Sequence, residues 1–191
     1  MRLTPGPVTD AAGLAGLVGV DPDMLRTSVG ELARRGWTVA TAESLTAGLL
    51  TAVLTEVPGA SEVLRGGIVC YATDLKASLV GVDADLLARV GPVDPAVAAA
   101  LARGARERCG ARIGVGLTGV AGPEPQGGHA PGTAYVARCG VGPDVVMPVP
   151  FAEPPTERWQ VRAAAVRSAL ALLRDLWAGA EGREHSADGT R

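Results

Sequence analysis

A strand that turns directly into a helical pattern, at residues 37–50, is the sequence feature that most constrains the fold. The segment WTVAT, residues 37–41, is rich in β-branched residues and is typical of a short buried strand. From Leu45 on, apolar residues recur at helical spacing, which predicts a helix that extends to the region of Glu56. Ser44 is therefore expected at a strand-to-helix turn, at or next to the helix N-terminus.

A serine at this turn has two possible roles. The first backbone N–H groups of a helix have no partners within the helix, and the helix dipole there favours negative charge. Ser44 can cap the helix, which is a common stabilising arrangement. It can also act as a nucleophile whose developing oxyanion is met by the same N–H groups. The segment is not a G-x-S-x-G elbow, because Ala42 and Thr46 stand at the glycine positions.

The remaining pattern predicts a single-domain α/β fold, an α/β/α sandwich with a mixed sheet. Residues 1–20 are expected to form an irregular lead-in whose Ala/Gly/Leu segment could be a weak turn of helix, residues 21–178 the domain, and residues 179–191 a disordered tail. The last two strands are separated by a short Gly/Pro turn and are expected to form an antiparallel hairpin. We predict strands at 37–42, 68–71, 111–118, 132–138 and 145–151, and helices at 22–35, 44–56, 61–64, 74–81, 83–90, 94–109 and 156–178.

Composition excludes several function classes. The net charge is −2 and no basic cluster is present, which argues against nucleic acid as a partner. No apolar run reaches the roughly 18 residues of a membrane span, and the segment 11–20 lacks the basic start of a signal peptide, so a cytoplasmic location is expected. The cysteines are odd in number and widely spaced, which predicts neither a disulfide framework nor a metal site.

Lysine usage points to one residue. Of the 18 basic residues, one is a lysine, Lys76, and the others are arginines. Arginine does not give up its proton, whereas a lysine amine can be tuned to act as a base. Lys76 follows Tyr71 across a second strand-to-helix turn, and both side chains could meet Ser44 at the edge outside the strand carboxyl ends, where α/β sheets build their sites. The alternative is an ordinary surface lysine.

Four segments together resemble one protein family. TAESLTAG (41–48), GGIVCYATDLKASLVGV (66–82), GLTGVAGPEPQGG…PGTAYVA (116–137) and TERWQVR (156–162) are similar in order and spacing to the CinA C-terminal domain family. The enzymatically active members of that family are nicotinamide-nucleotide amidohydrolases. The resemblance implies hydrolysis of nicotinamide mononucleotide to nicotinate mononucleotide and ammonia, a reaction of pyridine nucleotide salvage, with no metal or cofactor and in a homodimer.

The resemblance also implies roles for individual residues. Ser44 corresponds to the family's nucleophile, and Lys76 would accept its proton directly or through Tyr71, as in Ser-Lys variants of triad chemistry. The N–H groups of Leu45 and Thr46 are candidates for the oxyanion hole. The remaining predicted substrate-binding residues are Glu43, Gly48, Thr73, Gly119, Ala121, Gly122 and Arg158.

Two of these residues have alternative interpretations. Glu43 either orients Ser44 or Lys76, or is only a charge at the start of a helix. Arg158 either binds the substrate phosphate or forms an ion pair with Glu157 or Glu153.

The chain departs from the family pattern at several positions. Ala47 replaces a glycine and could narrow a close backbone approach, Thr73 replaces an asparagine, and the loop cation of the family is here at best His129. These changes leave two alternative functions open. The same Ser-Tyr-Lys chemistry could act on another small amide, or the chain could be a non-catalytic nucleotide-binding regulatory module.

Overall fold

A five-stranded mixed sheet forms the middle layer of the fold, which confirms the predicted α/β/α sandwich. The computed structural model describes residues 13–151, 155 and 157–187. The strands are β1 (Val39–Glu43), β2 (Leu64–Val69), β3 (Ile113–Gly119), β4 (Ala134–Cys139) and β5 (Val145–Pro148). The helices are α1 (Gly13–Leu17), α2 (Pro22–Arg34), α3 (Leu49–Thr55), α4 (Ala60–Val63), α5 (Thr73–Val80), α6 (Ala84–Val90), α7 (Pro95–Arg108) and α8 (Arg158–Ala187).

The sheet order is β2-β1-β3-β4-β5, so the segments that follow β1, β2 and β3 lie close together at the carboxyl ends of these strands. Strand β1 pairs in parallel with β2 on one side and with β3 on the other. The carboxyl ends of these three strands therefore lie together, so the residues that follow them become neighbours. Strand β4 runs antiparallel to β3 and to β5, which confirms the predicted hairpin.

Both faces of the sheet are covered by helices. Helices α1, α2, α3 and α8 pack on one face around Leu25, Leu50 and Leu170, and helices α5, α6 and α7 pack on the other around Val80 and Leu101. Every residue of β1 is buried, as expected for a central parallel strand with helices on both faces. Ser44 therefore follows a strand that has a paired strand on each side and helices on both faces.

Two glycines allow close packing around the site, one between β3 and α7 and one between α7 and α5. A Cβ at Gly116 on β3 would lie 2.3 Å from the Ala98 carbonyl oxygen, so helix α7 packs directly against this strand. A Cβ at Gly104 on α7 would lie 2.0 Å from the Val80 carbonyl oxygen on α5. Helix α5, which carries Lys76, can therefore approach α7 only because position 104 has no side chain.

Several predicted element boundaries were wrong. Helix α3 begins at Leu49 rather than at position 44 or 45, because residues 45–48 form a separate turn. Strand β2 occupies residues 64–69 rather than 68–71, and it contains the pair Gly66-Gly67, which has the composition of a loop. The glycine is required there, because a Cβ at Gly67 would lie 2.1 Å from Thr51 Oγ1. Helix α5 begins at Thr73, with Ala72 rather than Asp74 at its N-cap.

Both ends of the described chain contain helices. Helix α1 lies within the predicted irregular lead-in, and the Glu56 carboxylate accepts hydrogen bonds from its Leu14 and Ala15 N–H groups at 2.7 and 2.9 Å. Helix α8 continues past residue 178 to Ala187, into the predicted tail. The predicted cap Thr156 and residues 188–191 lie outside the described residues. None of the described helices has the length and hydropathy needed to cross a membrane.

We expect Gly104→Ala to destabilise the protein, because the new Cβ would overlap the backbone of Val80. Overpacking of this kind costs about 1–3 kcal/mol in the free energy of unfolding. The matched control is Gly30→Ala on the exposed side of α2, where a Cβ meets nothing within 4 Å. Alanine should stabilise that helix by about 0.5–1 kcal/mol. Urea unfolding measures both changes, and an unaltered Gly104→Ala midpoint would contradict the close contact of α5 with α7.

Candidate active site

A cleft lies at the sheet edge where strands β1, β2 and β3 end. It is open to solvent, and the empty space in and in front of it is about 520 Å³. The lining residues come from the turn after β1, the segment after β2 with the first part of α5, the loop before α7, the end of β3 with the loop after it, and the start of α8. They are Ser44, Leu45, Tyr71, Thr73, Lys76, Pro92, Val93, Thr118, Gly119, Val120, Ala121, Gly122, Glu124, Gln126 and Arg158.

Ser44 is the first residue after β1. Its N–H donates to the Leu117 carbonyl at 3.0 Å, which extends the β1–β3 pairing by one residue and fixes the serine to the sheet. The side chain is only 7% exposed and faces the cleft. Ser44 does not cap helix α3, because the N-cap of that helix is Gly48. The structure thus excludes the interpretation of Ser44 as the cap of this helix.

The Lys76 amine contacts the Ser44 hydroxyl, with 3.0 Å between Nζ and Oγ. Lys76 is buried, and its Nζ also lies within hydrogen-bonding distance of three backbone carbonyl oxygens that precede helix α5. These are Cys70 O at 3.0 Å, Tyr71 O at 3.2 Å and Ala72 O at 3.5 Å. The interpretation of Lys76 as a surface lysine is wrong, because β2 and the start of α5 turn its side chain inward.

Burial lowers the pKa of the Lys76 amine below its ordinary value of 10.5, because the protonated form loses its water. Attraction to Cys70 and Asp74 opposes this shift. Among the described residues, no carboxylate forms an ion pair with Lys76. The neutral amine fits the geometry, because its two N–H bonds can point to carbonyls and its lone pair to the Ser44 hydroxyl.

Glu43 lies behind the cleft rather than in it. The side chain is fully buried, and its carboxylate accepts hydrogen bonds from the N–H groups of Leu50 and Thr51 in the first turn of α3. It hydrogen-bonds neither Ser44 nor Lys76, and it is absent from the cleft lining in the described part of the chain. The structure thus supports the helix-start interpretation of Glu43 and not its prediction as a substrate-binding residue.

The turn between Ser44 and helix α3 leaves backbone donors free. The N–H groups of Leu45 and Thr46 have no hydrogen-bond acceptor among the described residues. Leu45 lines the cleft, whereas Thr46 and Gly48 do not. The Thr46 carbonyl accepts hydrogen bonds from Leu49 N–H at 3.2 Å and from the Arg162 guanidinium at 3.0 Å. The turn is therefore held through its carbonyl, and of these two donors only the Leu45 N–H belongs to a residue that lines the cleft in the described part of the chain, because Thr46 is fully buried.

Ala47 has a backbone conformation that alanine rarely adopts. Its φ is +51°, in the left-handed region, which costs a residue with a Cβ about 1–2 kcal/mol. Its side chain is exposed and does not line the cleft. The expectation that Ala47 narrows the site is therefore wrong, and the substitution affects the turn itself.

Tyr71 contributes to the site mainly through its backbone. Its carbonyl oxygen accepts from Lys76, whereas its side chain is 59% exposed at the mouth of the cleft. The direct contact of Lys76 with Ser44 means that proton transfer between them does not require a relay through the phenol. Thr73, at the start of α5, also lines the cleft.

The loop after β3 and the start of α8 close the opposite side. The Arg158 guanidinium donates a hydrogen bond to the Gly122 carbonyl, which ties helix α8 to this loop. The N–H groups of Ala121 and Gly122 have no acceptor in the described part of the chain. Arg158 forms no ion pair with Glu157, and Glu153 lies outside the described residues.

Several residues at the site were missed from the sequence. Thr118 is buried and its hydroxyl donates to the Pro92 carbonyl at 2.6 Å, which joins the end of β3 to the loop before α7. Glu124 and Gln126 bring polar side chains to the loop, and Arg162 holds the Ser44 turn. Arg162 lies in a segment used for the resemblance, but its partner Thr46 is distant in sequence, and no local pattern indicates that contact.

Comparison with known proteins gives a consistent result. The family model described as the CinA C-terminal domain matches residues 22–177 of this chain. A CinA-like protein of Frankia casuarinae is 45% identical over 178 residues, which cover 93% of this chain and 40% of that protein. A CinA-like protein of Gloeobacter violaceus is 41% identical over 165 residues, which cover 84% of this chain and 38% of that protein. The chain therefore spans less than half the length of these relatives.

Solved structures share the fold. The competence/damage inducible protein CihA from Agrobacterium tumefaciens has a TM-score of 0.75 and 30% identity, covering 92% of this chain and 99% of that chain. A CinA superfamily protein from Klebsiella pneumoniae has a TM-score of 0.76 and 29% identity, covering 82% of this chain and 97% of that chain.

We expect Ala47→Gly to stabilise the protein by about 1 kcal/mol, because glycine adopts a positive φ without the steric cost of a Cβ. The control is Ala52→Gly within helix α3, where the same substitution should destabilise by about 0.5–1 kcal/mol. The difference between the two urea midpoints measures the strain at position 47. If both variants lose the same amount of stability, the backbone at position 47 is not strained.

Proposed function

Because the chain belongs to the CinA C-terminal domain family, we propose that it is a serine-type amidohydrolase that converts nicotinamide mononucleotide into nicotinate mononucleotide and ammonia. The observation that carries this proposal is the contact between Ser44 Oγ and Lys76 Nζ, at 3.0 Å, in a cleft. A hydroxyl in contact with a buried amine of lowered pKa is the arrangement that activates a serine nucleophile.

The first half of the reaction forms an ester on Ser44. Ser44 Oγ attacks the carboxamide carbon while its proton moves to the neutral Lys76 amine. The C–O bond forms and the carbonyl oxygen becomes an oxyanion, for which the free N–H groups of Leu45 and Thr46 are the proposed donors. The intermediate collapses when the C–N bond breaks, and the leaving nitrogen takes the proton from Lys76 and departs as ammonia.

The second half releases the acid. The neutral Lys76 amine accepts a proton from a water molecule as the water oxygen attacks the ester carbon. The bond to Ser44 Oγ then breaks, the proton returns from Lys76 to Ser44, and nicotinate mononucleotide leaves. The three carbonyl oxygens around Nζ stabilise the transient ammonium, so Lys76 can alternate between its two protonation states.

The opposite wall of the cleft suits the phosphate of the substrate. The N–H groups of Ala121 and Gly122 have no acceptor among the described residues, and Arg158 lines the same wall with a guanidinium that binds the Gly122 carbonyl. Consecutive backbone donors with a nearby guanidinium are a common way to bind an anion. Gly119 is the last residue of β3, and the loop begins after it. The homodimer stays a prediction from the resemblance, and the cytoplasmic location stays a prediction from the sequence pattern.

A second candidate substrate class is favoured by one observation. Thr73 lines the cleft at a position where the resembled family commonly has asparagine, so the donor and acceptor of an amide side chain are missing from this wall. The same Ser44–Lys76 chemistry could then act on a different small amide. A panel of amides assayed for ammonia separates the two substrates.

We expect ammonia release from nicotinamide mononucleotide by the wild-type protein and a loss of at least about 10³-fold in Ser44→Ala, because the nucleophile is removed. The matched control is Ser78→Ala on the same side of the fold, an exposed serine of helix α5 that should leave the rate unchanged. A coupled ammonia assay measures all three proteins. Turnover that survives in Ser44→Ala would contradict the mechanism, and ammonia only from other amides would favour the second candidate.

We expect kcat/KM to rise with pH to a plateau, with a midpoint below 10.5, because only the deprotonated Lys76 amine can accept the Ser44 proton. Lys76→Arg should be inactive at every pH, since a guanidinium does not deprotonate. Lys76 is the only lysine of the chain, so lysine labelled with ¹³C at Cε gives a single side-chain resonance. Its NMR titration measures the pKa directly, and an unshifted midpoint would refute Lys76 as the base.

A further inference from the structure

We propose that Glu43 is a positioning residue, which holds Ser44 and the free N–H groups of Leu45 and Thr46 in place by tying strand β1 to helix α3. The inference rests on the proposed function, because it assigns a role to the residue that precedes the nucleophile. It goes beyond that function because Glu43 neither lines the cleft nor hydrogen-bonds Ser44 or Lys76.

The contacts of Glu43 join the two ends of the turn. Oε1 accepts hydrogen bonds from Thr51 N–H at 2.8 Å and Thr51 Oγ1 at 2.7 Å, and Thr41 Oγ1 lies 3.2 Å from Oε1 and 2.6 Å from Thr51 Oγ1. Oε2 accepts from Leu50 N–H at 3.1 Å. Because Glu43 and Thr41 belong to β1 while Leu50 and Thr51 begin α3, this cluster fixes the helix start relative to the strand end.

The side chain is unusual for a residue that only caps a helix. Caps are normally short polar side chains at the N-cap itself, a position that Gly48 occupies here without a side-chain bond. Glu43 instead reaches across the turn from the preceding strand, and it is fully buried. Among the described residues no cation pairs with it, so its charge is stabilised by neutral donors and by the N-terminal end of helix α3.

The conformation of the turn between Ser44 and helix α3 depends on the hydrogen bonds that Glu43 makes. Within it, Ala47 N–H donates to the Ser44 carbonyl at 3.1 Å, and Ala47 is held at a φ of +51°. Arg162 binds the Thr46 carbonyl from the other side. A turn with a strained residue persists only where surrounding bonds hold it. Without Glu43 the free N–H groups can rotate away from the position of the oxyanion, although the nucleophile and its base remain.

This role predicts a specific kinetic pattern. Loss of the Glu43 carboxylate should lower kcat and leave KM nearly unchanged, because substrate contacts on the opposite wall are intact. The pH midpoint should also stay constant, because Glu43 does not contact the Lys76 amine. A role in stability alone would move neither the rate per folded molecule nor the ratio of kcat to KM.

The test uses a fluorophosphonate probe, which reports on Ser44 without any assumption about the natural substrate. Ser44 Oγ attacks phosphorus, the P–O bond forms, the P–F bond breaks, fluoride leaves, and the proton goes to Lys76. Intact mass spectrometry follows the labelling rate of folded protein. We expect Glu43→Gln to be labelled at least about 10-fold more slowly than wild type, because its amide NH₂ opposes the Leu50 N–H or the Thr51 donors.

The matched control is Glu56→Gln. Glu56 also accepts two N–H groups at a helix start, those of Leu14 and Ala15 in α1, but it lies away from the cleft. Its labelling rate should equal that of wild type. A Glu43→Gln protein that is folded and labelled as fast as wild type would overturn the inference, and so would equal losses in both variants.

A milder pair of variants covers the case in which Glu43→Gln does not fold. Thr51→Val removes one hydroxyl donor to Glu43 and should slow labelling about 3-fold to 10-fold, whereas Thr55→Val in the same helix removes a hydroxyl that donates to the Ala52 carbonyl and should have no effect. Equal rates in these two variants overturn the inference.

The two proposals fail in different ways. Fast labelling of wild type, slow labelling of Glu43→Gln and no turnover of nicotinamide mononucleotide would refute the substrate while supporting the positioning role. Turnover of nicotinamide mononucleotide, with wild type and Glu43→Gln labelled at the same rate, would support the substrate and refute the positioning role of Glu43. A folded wild-type protein that is not labelled refutes the positioning role, because Ser44 would then not be a nucleophile.

Discussion

The burial of one amine is the constraint on which the rest of this structure depends. A lysine removed from water has a lowered pKa, and the fold compensates with the carbonyl oxygens of residues 70–72 rather than with a carboxylate. A carboxylate partner would keep the amine protonated, whereas carbonyls bind it in either form. The same geometry requires helix α5 close to α7, and it is Gly104 that makes this approach possible.

Much of the site could be predicted from the sequence because its main residues follow strands. Ser44 after β1 and Lys76 after β2 were found from a strand-to-helix pattern and from the presence of one lysine among the basic residues. Parallel pairing then determines that they meet. The contact distance and the depth of burial depend on the packing of α5, and no local pattern encodes it.

The errors have a common physical cause. The helical pattern after Ser44 was extended too far toward the N-terminus, because the spacing of apolar residues in 45–48 does not reveal that Ala47 has a positive φ. Strand β2 was shortened because glycines there signal a loop, although they are required by Thr51 on a neighbouring helix. Arg162 binds the Thr46 carbonyl across 116 positions in sequence, a separation that a periodicity analysis does not examine. Tertiary contacts decide each case, not local propensity.

The position of β2 at the edge of the sheet has a consequence for motion. Ser44 extends a strand that has a partner strand on each side, whereas Lys76 follows the outer strand β2, which within the described chain pairs with β1 alone. The two members of the pair therefore belong to regions of different local stability, and edge elements open more readily than central ones. Fraying of β2 and α5 would separate base from nucleophile while the main core stays folded.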